Sequence, residues 1–559
     1  MKTLRNLAII GAFMVPAWQS AGAEDLKDWT EPSDEVMIAF PTAEGFGKYA
    51  SGGRGGKIVK VTSLADDDSE GTLRWAFKQH YGEPLTILFD VSGQIKLTRE
   101  LRVTRRNWTL AGQSAPGDGI IITHDKVNFG GSQNFIVRNV RFRIGEKDAS
   151  GKIVTRNAVG AENCQNFIFD HCTFGWSSEE NLNTADSHFL TVQHSIVHEG
   201  LYDAGHSKGA RGYGAQLGGS PATYHHNLFI HNQSRSPRIN GARGEDYLVF
   251  MEYVNNVNYN YGKRGGCYGG ENTANITSFN GLNSAHECNF MSNYYKPGPN
   301  SDKKRVEFIK VSYARSGATS WGPSKWYIAD NVAEGLGDYT ADNWKGVARD
   351  NEKYSLDELN AGERIVPVNA YYRYSPAGVK GRYTPADYML TDIEPGENVL
   401  ASVVAKAGTV NPDKVERRLL EEAAKGTTTY VGSNNTMPGI IDNENDAEGF
   451  YEYAADYTVA PDTDGDGLPD AWELKRASSL SEIDNNTILD DGYTALEVYL
   501  NELMGDYDNI TSITDVIVDS SDDAPVEYYT LQGVRVRGEL SSGLYVRRQG
   551  AKAEMVIVR

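Results

Sequence analysis

Two stretches of the chain hold side chains whose types and spacing could do chemistry. The first runs from Ala158 to Arg243. It contains Phe169-Asp170-His171-Cys172, Ser178-Glu179-Glu180-Asn181-Leu182-Asn183, His206-Ser207-Lys208-Gly209, His225-His226-Asn227 and Arg235-Ser236-Pro237-Arg238. Eight of the eleven histidines lie between His171 and His231. Carboxylate and amide oxygens suit a hard cation. Arginine and lysine suit an anionic ligand, the one as a planar fork and the other as a point charge. Strand ends and loops on a rigid scaffold are where such groups do their work.

The second stretch is Asp462-Thr-Asp464-Gly-Asp466-Gly467-Leu468-Pro-Asp470-Ala-Trp-Glu473. Acidic oxygens fall at positions 1, 3, 5, 9 and 12 of a twelve-residue loop. Glycine stands at position 6, and the Leu468 carbonyl is available at position 7. That is the EF-hand ligand set, so Asp462, Asp464, Asp466, Leu468, Asp470 and Glu473 are expected to hold a structural Ca2+.

The histidines invite a zinc reading through His194-x3-His198 or His225-His226. Adjacent residues on a strand point to opposite faces, so His225 and His226 are not expected to chelate together. Corner or ladder roles fit them better. Ser51-Gly52-Gly53-Arg54-Gly55-Gly56 resembles a phosphate loop only loosely, because no Gly-Lys-Ser/Thr follows and the next run reads as a strand.

The elements that position these groups are short β runs with turn signals between them. Asn134-Phe-Ile-Val-Arg-Asn139-Val-Arg-Phe142 has the same form as Asn166-Phe-Ile-Phe-Asp-His171-Cys-Thr-Phe174. Asn or His recurs at positions 139, 171, 194, 226 and 256, at separations of 32, 23, 32 and 30 residues. Periods of this size indicate a solenoid. One strand-turn-strand unit per period, with a polar residue at a recurring corner, indicates an all-β parallel β-helix. Three helices are expected as well, at Gly71–His80, at Val415–Ala424 and near Gly492–Asn501.

The chain has 559 residues and a formal charge of −20. Lys2 and Arg5, the apolar run Leu7 to Trp18 and Ala21-Gly22-Ala23 read as a signal peptide over residues 1–23. Its loss would take the charge from −20 to −22. A chain this acidic is a poor general binder of nucleic acid. No other run approaches membrane-spanning length, so a secreted or cell-surface protein without a membrane span is expected. Cys164, Cys172, Cys267 and Cys288 form no CxxC pair, and they read equally as buried thiols or as bridges. The expected organisation places the solenoid at 36–440, the calcium-loop segment at 441–510, a Ser/Asp-rich linker at 511–525 and a small β module at 526–559.

Several motifs in order resemble the polysaccharide lyase family 1 pectate lyases, in an extended Gram-negative form. They are Phe40-Pro-Thr-Ala-Glu-Gly-Phe-Gly, Ala111-Gly-Gln-Ser-Ala-Pro-Gly-Asp-Gly, Phe169-Asp-His-Cys-Thr-Phe, Arg235-Ser-Pro-Arg and Asn293-Tyr-Tyr-Lys-Pro-Gly-Pro. The resemblance runs from about Ala39 to Asn501, and the last 34 residues look like a sorting module. It implies a right-handed parallel β-helix that cleaves polygalacturonate (pectin) with the help of calcium, and a monomer is expected. By motif, Arg235 matches the proton-abstracting arginine, and Lys208 matches a substrate-binding lysine. Asn157, Glu179 and Asn183 fall on metal-ligand positions. Family members often carry Asp where this chain has Asn157 and Asn183, which weakens the expected catalytic calcium.

The chemistry implied is removal of the uronate C5 proton and expulsion of the C4 oxygen. A cation on the carboxylate acidifies that C–H and steadies the enolate-like charge. An arginine base has an intrinsic pKa above about 12, so neighbouring cations are needed to favour its neutral form. Arg238, Arg243 and Lys208 can supply that field and bind neighbouring uronates. The alternatives are a β-helix polygalacturonase, which needs two carboxyl groups across the scissile bond and finds only Asp170 and Asp186 as loose candidates, and a non-catalytic pectin-binding surface protein.

Overall fold

The computed structural model describes residues 37–241, 248–262, 266–276, 282–304, 306–313, 322–350, 353–367, 385–489, 491–507, 526–529, 543–549 and 552–558. The expected signal peptide and linker, and Arg243, lie outside these residues.

Three stacked sheets run the length of the solenoid. One coil shows the plan: Gln165–Asp170 lies in the first sheet, Thr173–Gly175 in the second and Glu180–Asn183 in the third. The next coil repeats it with His188–Gln193, Ile196–His198 and Tyr213–Leu217. Pairing between coils is parallel and in register, as in Phe167 beside Phe135 and Leu190. This is the parallel β-helix that the repeat implied. Coil-to-coil spacing equals the strand spacing, about 4.8 Å, so like residues stack. Trp108, Phe135 and Phe167 form a column through the core with successive ring centroids 4.6 Å apart.

The recurring corner resolves into two columns. Asn139, His171, His194, His226 and Asn255 occupy its first position, all with positive φ, between 46° and 60°. Asparagine and histidine tolerate that conformation better than most residues. Asn256 belongs to the second column, one residue further on, with Asn227, Asn293, Asn331 and Asn343. Along the column each side chain accepts from a backbone N–H one coil below, Ser195 N to Asn227 at 3.0 Å, Asn227 N to Asn256 at 3.0 Å and Asn256 N to Asn293 at 2.9 Å, and Asn343 ends it from a turn only twelve residues after Asn331. The ladder meets the backbone hydrogen-bonding requirement of a corner that no strand can satisfy.

The glycine-rich N-terminal stretch lies flat on the first sheet. Gly47 N donates to Thr191 at 2.9 Å and Gly53 N to Thr109 at 2.9 Å. A Cβ at Gly47 would stand 2.1 Å from the Phe167 carbonyl oxygen. Close approach, and not phosphate binding, explains that glycine.

Helices Val399–Lys406 and Lys414–Lys425 cover the second sheet, packing on Ile196, Leu228, Ile230 and Val257. Asp413 and Glu416 form a capping box on the longer helix. The same two acids pair with the buried Arg141 and Arg143 of the solenoid. The helix expected at Gly71–His80 shrinks to the single turn Leu73–Ala76. The segment with the calcium-type loop closes the N-terminal coils through Leu468, Trp472 and Leu496, packed on Leu88 and Ala111. It ends in the helix Ala495–Leu503. Strands Val526–Tyr529, Gly543–Gln549 and Lys552–Val558 form a separate antiparallel sheet. All four cysteines are free and buried. No helix among the described residues is long and apolar enough to cross a membrane.

Candidate active site

The ionisable groups of the first stretch gather on the third sheet. Parallel register sets Glu180 beside Tyr213, and Asn183 beside Gln216, Arg238 and Tyr268 on successive coils. Arg235 sits just before the strand Arg238–Ile239, with φ +52°. Its guanidinium lies over the Tyr213 ring, 4.1 Å from the centroid. It forms an ion pair with Glu180, and its Nη1 donates to Gln216 Oε1 at 3.3 Å. Its Nε is buried without a partner.

Glu179 and Glu180 are chain neighbours but face different partners. Glu179 is held by His206 Nε2 at 2.8 Å and Arg211 Nη2 at 2.7 Å, with Lys208 Nζ at 3.6 Å. Arg211 also lies on the Tyr213 ring, 4.6 Å from its centroid. Tyr213 therefore carries two guanidiniums, and burial pushes its hydroxyl pKa up. Lys208 is the accessible cation of the group, with its side chain 68% exposed. Arg238 pairs with Glu271 and lies over Tyr268, 5.2 Å from the ring centroid. The face thus presents Lys208, Arg211, Arg235 and Arg238 around two tyrosine rings. Such a surface can take a row of carboxylates.

The three residues expected to hold a catalytic calcium do not share one carboxylate. Asn157 Nδ2 donates to Glu180 at 3.0 Å, and Asn183 Nδ2 donates to Glu162 at 3.0 Å. Each neutral amide turns its N–H toward an acid, and Glu179 is already bound by cations. Glu180, Arg211, Tyr213, Gln216 and Glu271 were not anticipated. Glu179 lies in the bend just before the strand that begins at Glu180, so no strand pattern in the sequence assigned the two acids to different partners.

The calcium-type loop behaves differently. Asp462, Asp464 and Asp466 bring one carboxylate oxygen each within 4.8 Å of the others. Glu473 is fully buried, and both of its oxygens, like Asp466 Oδ2, lack a hydrogen-bond partner. Burial, then the neighbouring aspartates, push the Glu473 carboxyl up to about 7. Buried anions crowded without donors are the arrangement a divalent cation satisfies. The Asp470 carboxylate accepts from Thr463 N and Oγ1, both at 2.7 Å. Asp462 also meets Lys60 of the first strand at 2.6 Å, which ties the loop to the solenoid.

The strand argument against joint chelation by His225 and His226 fails. The strand ends at His225, and His226 turns into the corner with φ +52°. Their Nδ1 atoms lie 2.9 Å apart.

No family model matches the chain. Among curated proteins it is 30% identical over 474 residues to "Probable pectate lyase C" of Neosartorya fischeri, covering 84% of this chain and 94% of that one. It is 31% identical over 484 residues to the protein of the same name in Emericella nidulans, with the same coverage. Among solved structures, the cedar pollen allergen jun a 1 is 16% identical with a TM-score of 0.44, covering 69% of this chain and 98% of that one. The sequence relatives span nearly their whole length, so the chain belongs to the pectate lyase family.

Proposed function

We propose that the protein cleaves α-1,4-polygalacturonate by β-elimination on the outer face of the third sheet, with Arg235 as the base. The observation that carries this reading is the setting of Arg235. It is seated on Tyr213, against Glu180, in a row of cations that fits a polyanionic chain. Lys208, Arg211 and Arg238 bind uronate carboxylates on either side of the reacting sugar. Their charge stabilises the developing enolate and favours a neutral guanidine. Arg235 takes the C5 proton, the C5–H electrons form the C4–C5 double bond, and the C4–O bond breaks. The departing oxygen is protonated by water. The Arg235–Glu180 pair must open first, because the guanidinium cannot reach the sugar while it is held by Glu180.

The loop Asp462–Glu473 fits a resident calcium ion. Asp462, Asp464, Asp466, Glu473 and the Leu468 carbonyl would hold it, and it would clamp the closing segment onto the first coils. At the catalytic face, Glu179 with Asn157 and Asn183 offers too little unpaired charge for a resident ion. A calcium ion held there by Glu179 would need the uronate carboxylate to supply the missing anion, and it would then acidify C5–H. The signal-peptide pattern supports export, and the terminal three-stranded sheet is the candidate sorting module.

A hydrolase is disfavoured because one of the two carboxyl groups it would need is occupied. Asp170, one loose candidate, is fully buried between Arg138 at 2.7 Å and His171 at 2.8 Å. The test is incubation with polygalacturonate, following near-ultraviolet absorbance and reducing ends together. A lyase raises both. Reducing ends without absorbance would mean a hydrolase, and pectin binding without chain shortening would mean a binding protein.

A further inference from the structure

A second cluster of metal-type ligands lies away from the third sheet, at the corner between the first and second sheets. His194, His225 and His226 each place one ring nitrogen within 4.8 Å of the other two. Their rings come from successive coils. His194 stacks on His226 with centroids 5.1 Å apart, and the His225 ring stands edge-on to His194 at 5.7 Å.

The surroundings fix which nitrogen of His225 carries the lone pair. Gln193 Nε2 donates to the Thr42 carbonyl at 3.1 Å and to Asp170 at 2.9 Å. Its Oε1 accepts from Glu44 N at 3.2 Å, so the amide orientation is set. That oxygen stands 3.2 Å from His225 Nε2, which must therefore be the donor. With the hydrogen on Nε2, its Nδ1 presents a lone pair. His226 Nε2 lies 3.4 Å from a Glu394 carboxylate oxygen, an acceptor that favours the hydrogen on Nε2. Its Nδ1 then also presents a lone pair, and the two Nδ1 atoms are 2.9 Å apart. Two facing lone pairs repel unless a proton or a metal lies between them. His194 Nδ1 is likewise buried and has no partner. Ligating histidines are characteristically held through their second ring nitrogen by a carboxylate or a carbonyl, as Glu394 and Gln193 hold these two.

We propose that His194, His225 and His226 form a binding site for a divalent transition metal of the zinc class. Glu44 Oε2 lies 3.9 Å from His225 Nδ1, and it or water completes a tetrahedral set. Imidazole nitrogens select such metals over calcium, which takes oxygen. The site is structural. It pins the N-terminal stretch carrying Glu44 and the loop carrying Glu394 to the corner of two coils.

The experiment uses the full chain without an affinity tag, stripped with chelator and returned to saturating calcium so that the Asp462–Glu473 loop stays filled. Cobalt(II) and zinc(II) are then titrated separately. The expected result is one equivalent bound, visible d–d absorption with cobalt typical of a nitrogen-rich tetrahedral site, and a higher Tm with zinc. His226→Asn keeps the corner, because Asn139 and Asn255 hold the same conformation on other coils. It should weaken zinc by at least the roughly 10–100-fold that outer-shell changes alone cost. His194→Asn is the second variant, should the first fail to fold. Asp466→Ala should leave zinc binding intact. No d–d bands and no zinc-dependent Tm shift in the parent would overturn the proposal. Parental zinc affinity in a folded His226→Asn or His194→Asn variant would overturn it too.

Discussion

Arg235 forms its ion pair with Glu180, the neighbour of the carboxylate that the family motif marks. The pair seats the guanidinium on Tyr213 and ties it away from a substrate. Removing the carboxylate charge should release it. In Glu180→Gln, kcat/KM should rise by up to about tenfold, since about 1.4 kcal/mol of lost pairing corresponds to a factor of ten. Initial rates on polygalacturonate measure this. Activity lost in the variant would make Glu180 part of the reacting machinery and not a restraint on Arg235.

Calcium should appear in two populations. Without polymer, equilibrium dialysis should find one tight ion per chain, lost in Asp466→Ala. That variant should melt lower, because a ligand held at about a hundred times its Kd contributes roughly 2.7 kcal/mol. A second, weaker ion should appear only with oligogalacturonate and should vanish in Glu179→Gln. Unchanged melting in Asp466→Ala would remove the loop from its clamping role.

His286 sets an acid limit. Both ring nitrogens are buried without partners beside Trp326, and burial depresses its pKa to about 3. The unfolded chain takes up this proton near pH 6.5, the folded chain only near 3. The depressed group therefore contributes its full stability above pH 6.5 and loses it as the pH falls toward 3. His286→Phe should flatten the dependence of the denaturation midpoint on pH across that window. An identical slope in parent and variant would show that other groups control it.

The asparagine ladder is expected to be structural only. Asn256→Ala would leave the buried Asn227 N–H without its acceptor, at about 1–3 kcal/mol. Urea unfolding should show the loss, with kcat unchanged below the transition. Full stability would mean that water replaces the side chain.

The repeat was legible because in-register stacking demands like residues at like positions. Phe135 and Phe167 show this in both the sequence and the core column. The second ladder column was harder, since Asn255 and Asn256 are adjacent and only the backbone conformation assigns them to different columns. Arg235, Lys208 and Arg238 were legible by type and motif, and they meet on one face. Their partners were not, because Tyr213 and Glu271 reach them through coil-to-coil register that no local pattern encodes. The buried pairs of Arg141 and Arg143 with Asp413 and Glu416 join groups about 270 residues apart, beyond any local signal. The zinc-type contact of His225 with His226 was hidden for the opposite reason. Strand alternation was applied across a corner where it no longer holds.

The central claim is that Arg235 is the base of an eliminative cleavage. The most direct test compares the parent with Arg235→Lys on polygalacturonate, measuring the initial rate of near-ultraviolet absorbance against pH and polymer affinity in parallel. Lysine keeps the charge but cannot place the same nitrogen at C5. The expected result is a parent whose rate climbs toward alkaline pH and a lysine variant with most of its turnover lost, about 10²–10⁴-fold for a missing base, and affinity retained through Lys208, Arg211 and Arg238. Near-parental turnover in the lysine variant would contradict the account and take Arg235 out of the catalytic role.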